Sequence, residues 1–262
     1  MSKGMYFGVD GKARKVKQAY IGVGGTARKV KKVYVGVDGK ARLAWTAGVA
    51  VGDLPVGSVV QLNEAGALTD YIVVHQGLPS SLYDASCDGT WLLRKDIFES
   101  KQWNVSNDNR YAKSDIHSYL NSTFVARFES SIQSEIKQVK IPYGAGEGMH
   151  SSFTGSYGLS AKVFFLAGNE VGVTNNLLAE DGACLAYFQG TAPTDIKRIA
   201  YLNKYANQWW LRSPYTGNAL KAWYVNSTGG CANGNCTGGH GVRPALVLPS
   251  TLMIAQDGTV VA

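Results

Sequence analysis

A 14-residue unit occurs three times in succession near the start of the chain, and no other feature restricts the fold as tightly. Tyr6–Ala19 reads Tyr-Phe-Gly-Val-Asp-Gly-Lys-Ala-Arg-Lys-Val-Lys-Gln-Ala; Tyr20–Val33 repeats it, and Tyr34–Trp45 is a shorter third copy. Each copy carries a turn pair at the same place: Asp10-Gly11, Gly24-Gly25 and Asp38-Gly39. Such pairs accept positive φ at both positions, the type I′ geometry that joins two strands directly. With β-branched and aromatic residues on either side, the spacing predicts a small array of β-hairpins. A lone two-stranded hairpin is marginal in water. The array therefore calls for a covering surface from copies of itself, another chain or the following domain.

Charge divides the chain at the same point. Residues 1–45 hold 11 Lys and Arg against Asp10 and Asp38, a net +9, while the remainder carries a net −2. The expected organisation is a basic hairpin module, 1–45, for attachment or oligomerisation, followed by one domain, 46–262. Two readings fit the recurring Ala-Arg-Lys-Val-Lys. It is a strip for polyanions or for docking on a larger assembly, or a solvated strand face that discourages edge pairing. No aromatic-interleaved motif supports nucleic acid, which is not an expected partner. The longest purely apolar run, Val163–Ala167, is far short of the ~20 residues a bilayer helix needs, so no membrane insertion is expected. Met1-Ser2-Lys3-Gly4 has no apolar segment of the secretory kind, which implies synthesis in the cytoplasm without a leader.

In residues 46–262, strands are expected at Asp53–Val60, Asp70–His75, Trp91–Lys95, Val163–Leu166, Trp209–Pro214, Ala222–Val225 and Gly241–Leu248. Two short helices fit between them. Ser114 caps one whose Ile116, Tyr119 and Leu120 share a face, and Ser130 with Gln133 forms a capping box that opens another, ending near Gln138. Strands, two helices and further strands predict an α+β domain.

Five segments carry a resemblance: Trp91-Leu-Leu-Arg94; Ser114–Asn121; Lys162–Leu166 with Glu170-Val171; Trp209-Trp-Leu-Arg-Ser-Pro214; and Gly241-Val-Arg-Pro-Ala-Leu-Val-Leu-Pro-Ser250. Together they resemble a domain family widespread in gut Firmicutes and their phages. The closing segment is similar to the end of C-type-lectin-like folds of the formylglycine-generating-enzyme branch, which includes the variable ligand-binding proteins of diversity-generating retroelements. The 14-residue repeat looks like segments of phage tail and baseplate-associated proteins. The resemblance implies a C-type-lectin-like domain with a C-terminal binding face, host cell-surface protein or glycan as ligand, and placement in a virion tail. There, residues 1–45 would contact tail or baseplate proteins, with a homotrimer as the suggested assembly.

The residues agree with a binding face. Tyr215, Asn218, Lys221, Tyr224, Asn226, Asn233, Asn235 and His240 combine aromatic area with adaptable hydrogen bonding, the chemistry of a paratope, and are the expected contacts. Trp209, Trp210, Arg212 and Arg243 are expected framework, the arginines pairing carboxylates or carbonyls inside the fold. Cys231 and Cys236 leave three readings open: a small disulfide loop, a metal pair helped by His240, or a redox pair. Formylglycine-generating enzymes also carry two catalytic thiols, but well upstream of their Gly-x-Arg motif; here four residues separate Cys236 from Gly241. His75, His117, His150 and His240 fall into no catalytic pattern, and Gly144–Gly148 lacks the Lys-Ser/Thr of a phosphate loop and reads as a mobile loop. Glu180-Asp181 and Asp84 with Asp88 read as solvated acids, so neither calcium nor another cofactor is expected. The expected function is non-catalytic recognition, with a Cys-pair oxidase or a purely architectural protein as alternatives.

Overall fold

Each 14-residue unit folds as one two-stranded antiparallel hairpin: Tyr6–Val9 with Lys12–Lys15, Ala19–Val23 with Thr26–Val30, and Lys32–Val37 with Lys40–Thr46. The turns have the expected chemistry. Gly24 and Gly25 lie at φ +59° and +78°, and Asp38 and Gly39 at φ 51° and 71°, so both central positions are left-handed as type I′ requires. The computed structural model describes residues 5–9, 11–16, 19–30, 32–46, 48–192, 195–255 and 257–261. Met1–Gly4, Asp10 of the first turn, and Lys17 and Lys31 of the basic strips lie outside the described residues.

Two five-stranded sheets follow. The first runs, in spatial order, Val163–Phe164, Ala245–Leu248, Thr90–Arg94, Ala67–Gln76 and Val59–Glu64, all antiparallel. Its central strands, Thr-Trp-Leu-Leu and Ala-Leu-Val-Leu, are buried at every position from Thr90 to Leu93 and from Ala245 to Leu248. That is why they read as continuous apolar runs. Trp91 anchors this part of the core by edge contacts with Tyr83 (5.5 Å) and Phe164 (5.4 Å). The second sheet runs Ser100–Gln102, Gly239–Gly241, Trp209–Pro214, Lys221–Val225 and Cys231–Asn235, with one parallel pairing, Trp209 to Gly241.

The expected α+β class, a C-type-lectin-like domain with two helices, is corrected here: strand accounts for 42% of the structure and helix for about 14%, and the fold is built of many small sheets. The helical content is concentrated in one 13-residue segment that passes from an α turn (Asp115–Tyr119) through a π turn (Leu120–Phe124) to a 3-10 turn (Val125–Arg127). Ser114 caps it, its Oγ accepting from His117 N at 3.2 Å. Ile116, Leu120 and Phe124 enter the core, while Tyr119 turns out to Glu99. Ser130–Glu135 forms one further short helix, without the expected capping box. Glu129 is the N-cap, with no side-chain capping bond, and Gln133 Nε2 donates back to Phe128 O. It stops at Glu135 because Ile136 turns extended to bury its side chain. Neither piece is long enough to form a layer over a sheet.

The expected strand Gly241–Leu248 divides, Gly239–Gly241 joining the second sheet and Ala245–Leu248 the first, and the expected strand Asp53–Val60 shifts. Asp53 ends a 3-10 turn and the strand begins at Val59, after Pro55 and a Gly57 at φ +90°. It then continues past Val60 to Glu64 and returns through Ala65-Gly66, both at positive φ. Among the described residues no helix is long and apolar enough to cross a membrane.

Candidate functional site

The framework of the second sheet is its middle strand, Trp209–Pro214, buried along its whole length. Buried indoles need a partner for their N–H, and each finds a backbone carbonyl: Trp209 at Arg198, Trp210 at Lys101, Trp103 at Leu211 and Trp223 at Leu177. Arg212, with no exposed surface, grips Glu170 through two bonds of 2.6 Å and also donates to the carbonyls of Phe165, Pro142 and Asp181. Arg243 has no carboxylate. It donates to the carbonyls of Arg94 and Arg198, its guanidinium lies 4.7 Å from the Trp209 ring, and burial pushes its pKa down to about 10.

The sheet's alternation then divides the expected contact residues between its two faces, because cross-strand partners share a face and neighbours along a strand do not. On one face Tyr224 pairs with Trp210 and Ala232, and Gly234 pairs with Ala222. His240 joins them: its ring centroid lies 4.2 Å from Tyr224 and 4.1 Å from Trp210, which meets Tyr224 edge-on at 6.0 Å. The result is a half-buried aromatic patch with Trp210 as its floor and small residues beside it. A Cβ on Gly234 would stand 3.2 Å from both the His240 and Tyr224 rings, so glycine lets the two rings pack down against that strand. Burial pushes the His240 pKa down to about 4, so the imidazole is neutral at neutral pH, and its Nδ1 is buried with no hydrogen-bond partner among the described residues. Lys101, paired with His240 on the next strand, carries its ammonium 4.4 Å from the centre of the Tyr119 ring.

Lys221, Asn233 and Asn235 fall on the opposite face with Trp223, to which Asn233 is the cross-strand partner. Tyr215 is half-buried against Trp223, its ring centroid 5.6 Å away. Asn226 is taken up by its own turn, Oδ1 accepting from Thr228 N, Thr228 Oγ1 and Gly230 N. Asn218 Oδ1 likewise accepts from Leu220 N. The eight residues thus form no single surface. Tyr224 and His240 meet, and Trp210, read as framework from sequence, completes their patch.

Asn109 holds the neighbouring loops. Fully buried, it donates to the carbonyls of Tyr215, Asn218 and Lys221 and accepts from Glu147 N at 2.7 Å. The Gly144–Gly148 loop, expected to be mobile, is thereby pinned, and Gly148 O also accepts from Gly217 N at 2.7 Å. Replacing Asn109 by Ala should cost about 1–3 kcal/mol, the usual cost of leaving buried polar groups unmet. Urea unfolding of the variant beside the parent chain measures it.

Cysteine chemistry finds no support. Cys231 opens the strand Cys231–Asn235 and Cys236 follows it, so the two are separated by roughly 16 Å of extended chain, beyond the ~7 Å a disulfide can span. All four cysteines are free, and burial pushes the thiols of Cys231 and Cys236 up to about 11 and 12, away from the reactive thiolate. Among the described residues no three His, Cys, Asp or Glu side chains gather as a metal site. Asp84 caps a 3-10 turn, accepting from Ser86 N. Asp181 is not solvated as expected but fully buried. His117 packs on Tyr111, ring centroids 5.2 Å apart.

The fold and site define a β-rich domain with a buried ionic core and an uncharged aromatic patch on one sheet. A family model described as Domain of unknown function (DUF6273) matches residues 88–250, more than half of the chain, and the chain belongs to that family. The match takes in all of the second sheet and leaves the hairpins and the strands 59–76 outside. Comparison with curated proteins and with solved structures gives no match.

Proposed function

We propose that this chain is a non-catalytic binding protein whose ligand rests on the Trp210–Tyr224–His240 patch, and that the ligand is an uncharged glycan of a cell surface. The observation that carries the reading is the cluster of half-buried Tyr224 and His240 rings packed over the buried Trp210 indole, with the imidazole neutral. A sugar ring offers a flat C–H face to such aromatic rings. Few convergent polar groups on an apolar surface is the usual composition of a small-ligand site. Trp210, Tyr224 and the neutral His240 bring no cation of their own to hold an anionic polymer there. High thiol pKa values and the spacing of Cys231 from Cys236 weigh against the oxidase alternative. Attachment to a virion tail through the basic module is part of the same proposal and rests on the repeat alone.

The test is a carbohydrate array and intact Gram-positive cells probed with the labelled full chain and with Tyr224→Ala. Loss of a central aromatic contact costs about 2 kcal/mol or more at a hot spot, so Tyr224→Ala should weaken binding at least tenfold with its circular dichroism unchanged. Equal binding by both proteins overturns the assignment.

A further inference from the structure

The three hairpins carry glycines that their own structure does not need. Gly8, Gly22 and Gly36 sit mid-strand at ordinary φ, and a Cβ built on any of them meets nothing within 4 Å. Glycine inside a strand weakens it, and one retained there marks a close approach by another backbone or ligand. Here the same position is glycine in all three copies, opposite an alanine each time: Gly8 to Ala13, Gly22 to Ala27, Gly36 to Ala41. Two residues before each glycine, on the same face, stands a tyrosine. Tyr6, Tyr20 and Tyr34 are 56%, 60% and 54% exposed, so no copy is covered by the rest of the chain. The other face holds Arg14, Arg28 and Arg42 opposite Phe7, Ile21 and Val35, with Lys12 and Lys40 alongside.

We propose that the Tyr-Gly-Ala faces of the hairpins bind a second copy of this chain, tyrosine of one copy entering the Gly-Ala recess of the other. A two-fold contact requires a patch that contains both its own knob and its own hole, and this face has both. A partner that meets three equivalent hairpins must match their spacing, and a second copy does so automatically. The tyrosines and small residues offer on the order of 600 Å² per chain, near the ~800 Å² that one partner brings to a standard interface. The register also places Lys15 opposite Tyr6, Lys29 opposite Tyr20 and Leu43 opposite Tyr34 on the tyrosine face, while the arginines stay on the outward face, where like charges remain solvated. This proposal is independent of the glycan site.

Sedimentation velocity of the full chain over a hundredfold concentration range tests it. The parent should sediment at twice the monomer mass or more. Gly8→Val/Gly22→Val/Gly36→Val suits strand geometry and has room in each hairpin, and should sediment as a monomer with unchanged circular dichroism. Tyr6→Thr/Tyr20→Thr/Tyr34→Thr, which keeps strand propensity while removing the knobs, should do the same. Arg14→Ser/Arg28→Ser/Arg42→Ser should remain associated. A monomeric parent overturns the proposal, as do glycine-filled and tyrosine-free variants that still associate, or dissociation caused only by the arginine changes.

Discussion

Arg212→Met should destabilise the chain by about 3–5 kcal/mol, because it leaves Glu170 as an unpaired buried charge. Both partners have no exposed surface, and Arg212 uses all of its donor directions: two on Glu170 and three on the carbonyls of Pro142, Phe165 and Asp181. These carbonyls belong to separated segments, so the side chain ties the loops around residues 142, 165 and 181 to the central strand of the second sheet. Losing 3–5 kcal/mol is a large fraction of an ordinary domain's 5–15 kcal/mol. Denaturant midpoints measure the loss. The double variant Arg212→Met/Glu170→Leu should recover part of it, since replacing both members removes the stranded charge. Recovery stays partial because Tyr83 OH and Ala167 N, which donate to Glu170, lose their acceptor. A single variant within 1 kcal/mol of the parent would show that the pair contributes little.

Asp181→Asn should have an effect of similar size that depends on pH. Asp181 is fully buried beside Glu170, and burial pushes its pKa up to about 6 against Arg212 and the Ser213 hydroxyl, which pull it down. Oδ1 accepts from the Asn169 amide at 2.9 Å. A carboxyl whose folded pKa lies above its unfolded value of 3.8 binds its proton more tightly when folded. It therefore stabilises the fold below pH 3.8, and that stability is lost as pH rises through about 6. A shift from 3.8 to about 6 corresponds to about 3 kcal/mol. His240 works in the opposite direction: its folded pKa is lowered, so its contribution is present above pH 6.5 and lost as pH falls through about 4. The parent's own pH profile mixes the two, and the difference between variant and parent isolates Asp181. That difference should move in favour of Asn by about 2 kcal/mol between pH 4 and pH 7. A difference constant with pH would show that Asp181 ionises as freely as in the unfolded chain.

How much of this the sequence discloses depends on the range of the interaction. Local chemistry is legible: the turn pairs Gly24-Gly25 and Asp38-Gly39 and the Ser114 cap act over a few residues and occur as read. The apolar strands at 90–94 and 245–248 are equally plain, since burial on both faces leaves no polar alternation. The turn at Ala65-Gly66 escapes notice because alanine at φ 53° carries no turn signature of its own. The fold class fails for a related reason. A helical spacing of four residues is real at Ile116, Leu120 and Phe124, but the segment changes from α to π to 3-10 geometry within thirteen residues and never forms a layer.

The candidate site was legible in composition and illegible in arrangement. Tyr224 and His240 were visible as paratope-like residues; that they share a face with Trp210, and that Lys221, Asn233 and Asn235 take the other, follows from strand register. A one-residue offset reverses the face of every side chain. The alternation of Trp223 and Tyr224 against Asn233 and Gly234 was a signal that could have separated them. Glu170, Asp181, Arg198 and Asn109 act across long separations in sequence, as in the 42 residues between Glu170 and Arg212, and no local pattern announces them.

The most direct measurement is heteronuclear NMR of the full chain titrated with the glycan that the array selects. The account predicts that the Trp210 indole N–H and the His240 ring resonances shift, while those of Trp91 and Trp103 in the core stay in place. Shifts confined to Trp223 and Tyr215 would put the ligand on the other face of the sheet and contradict it.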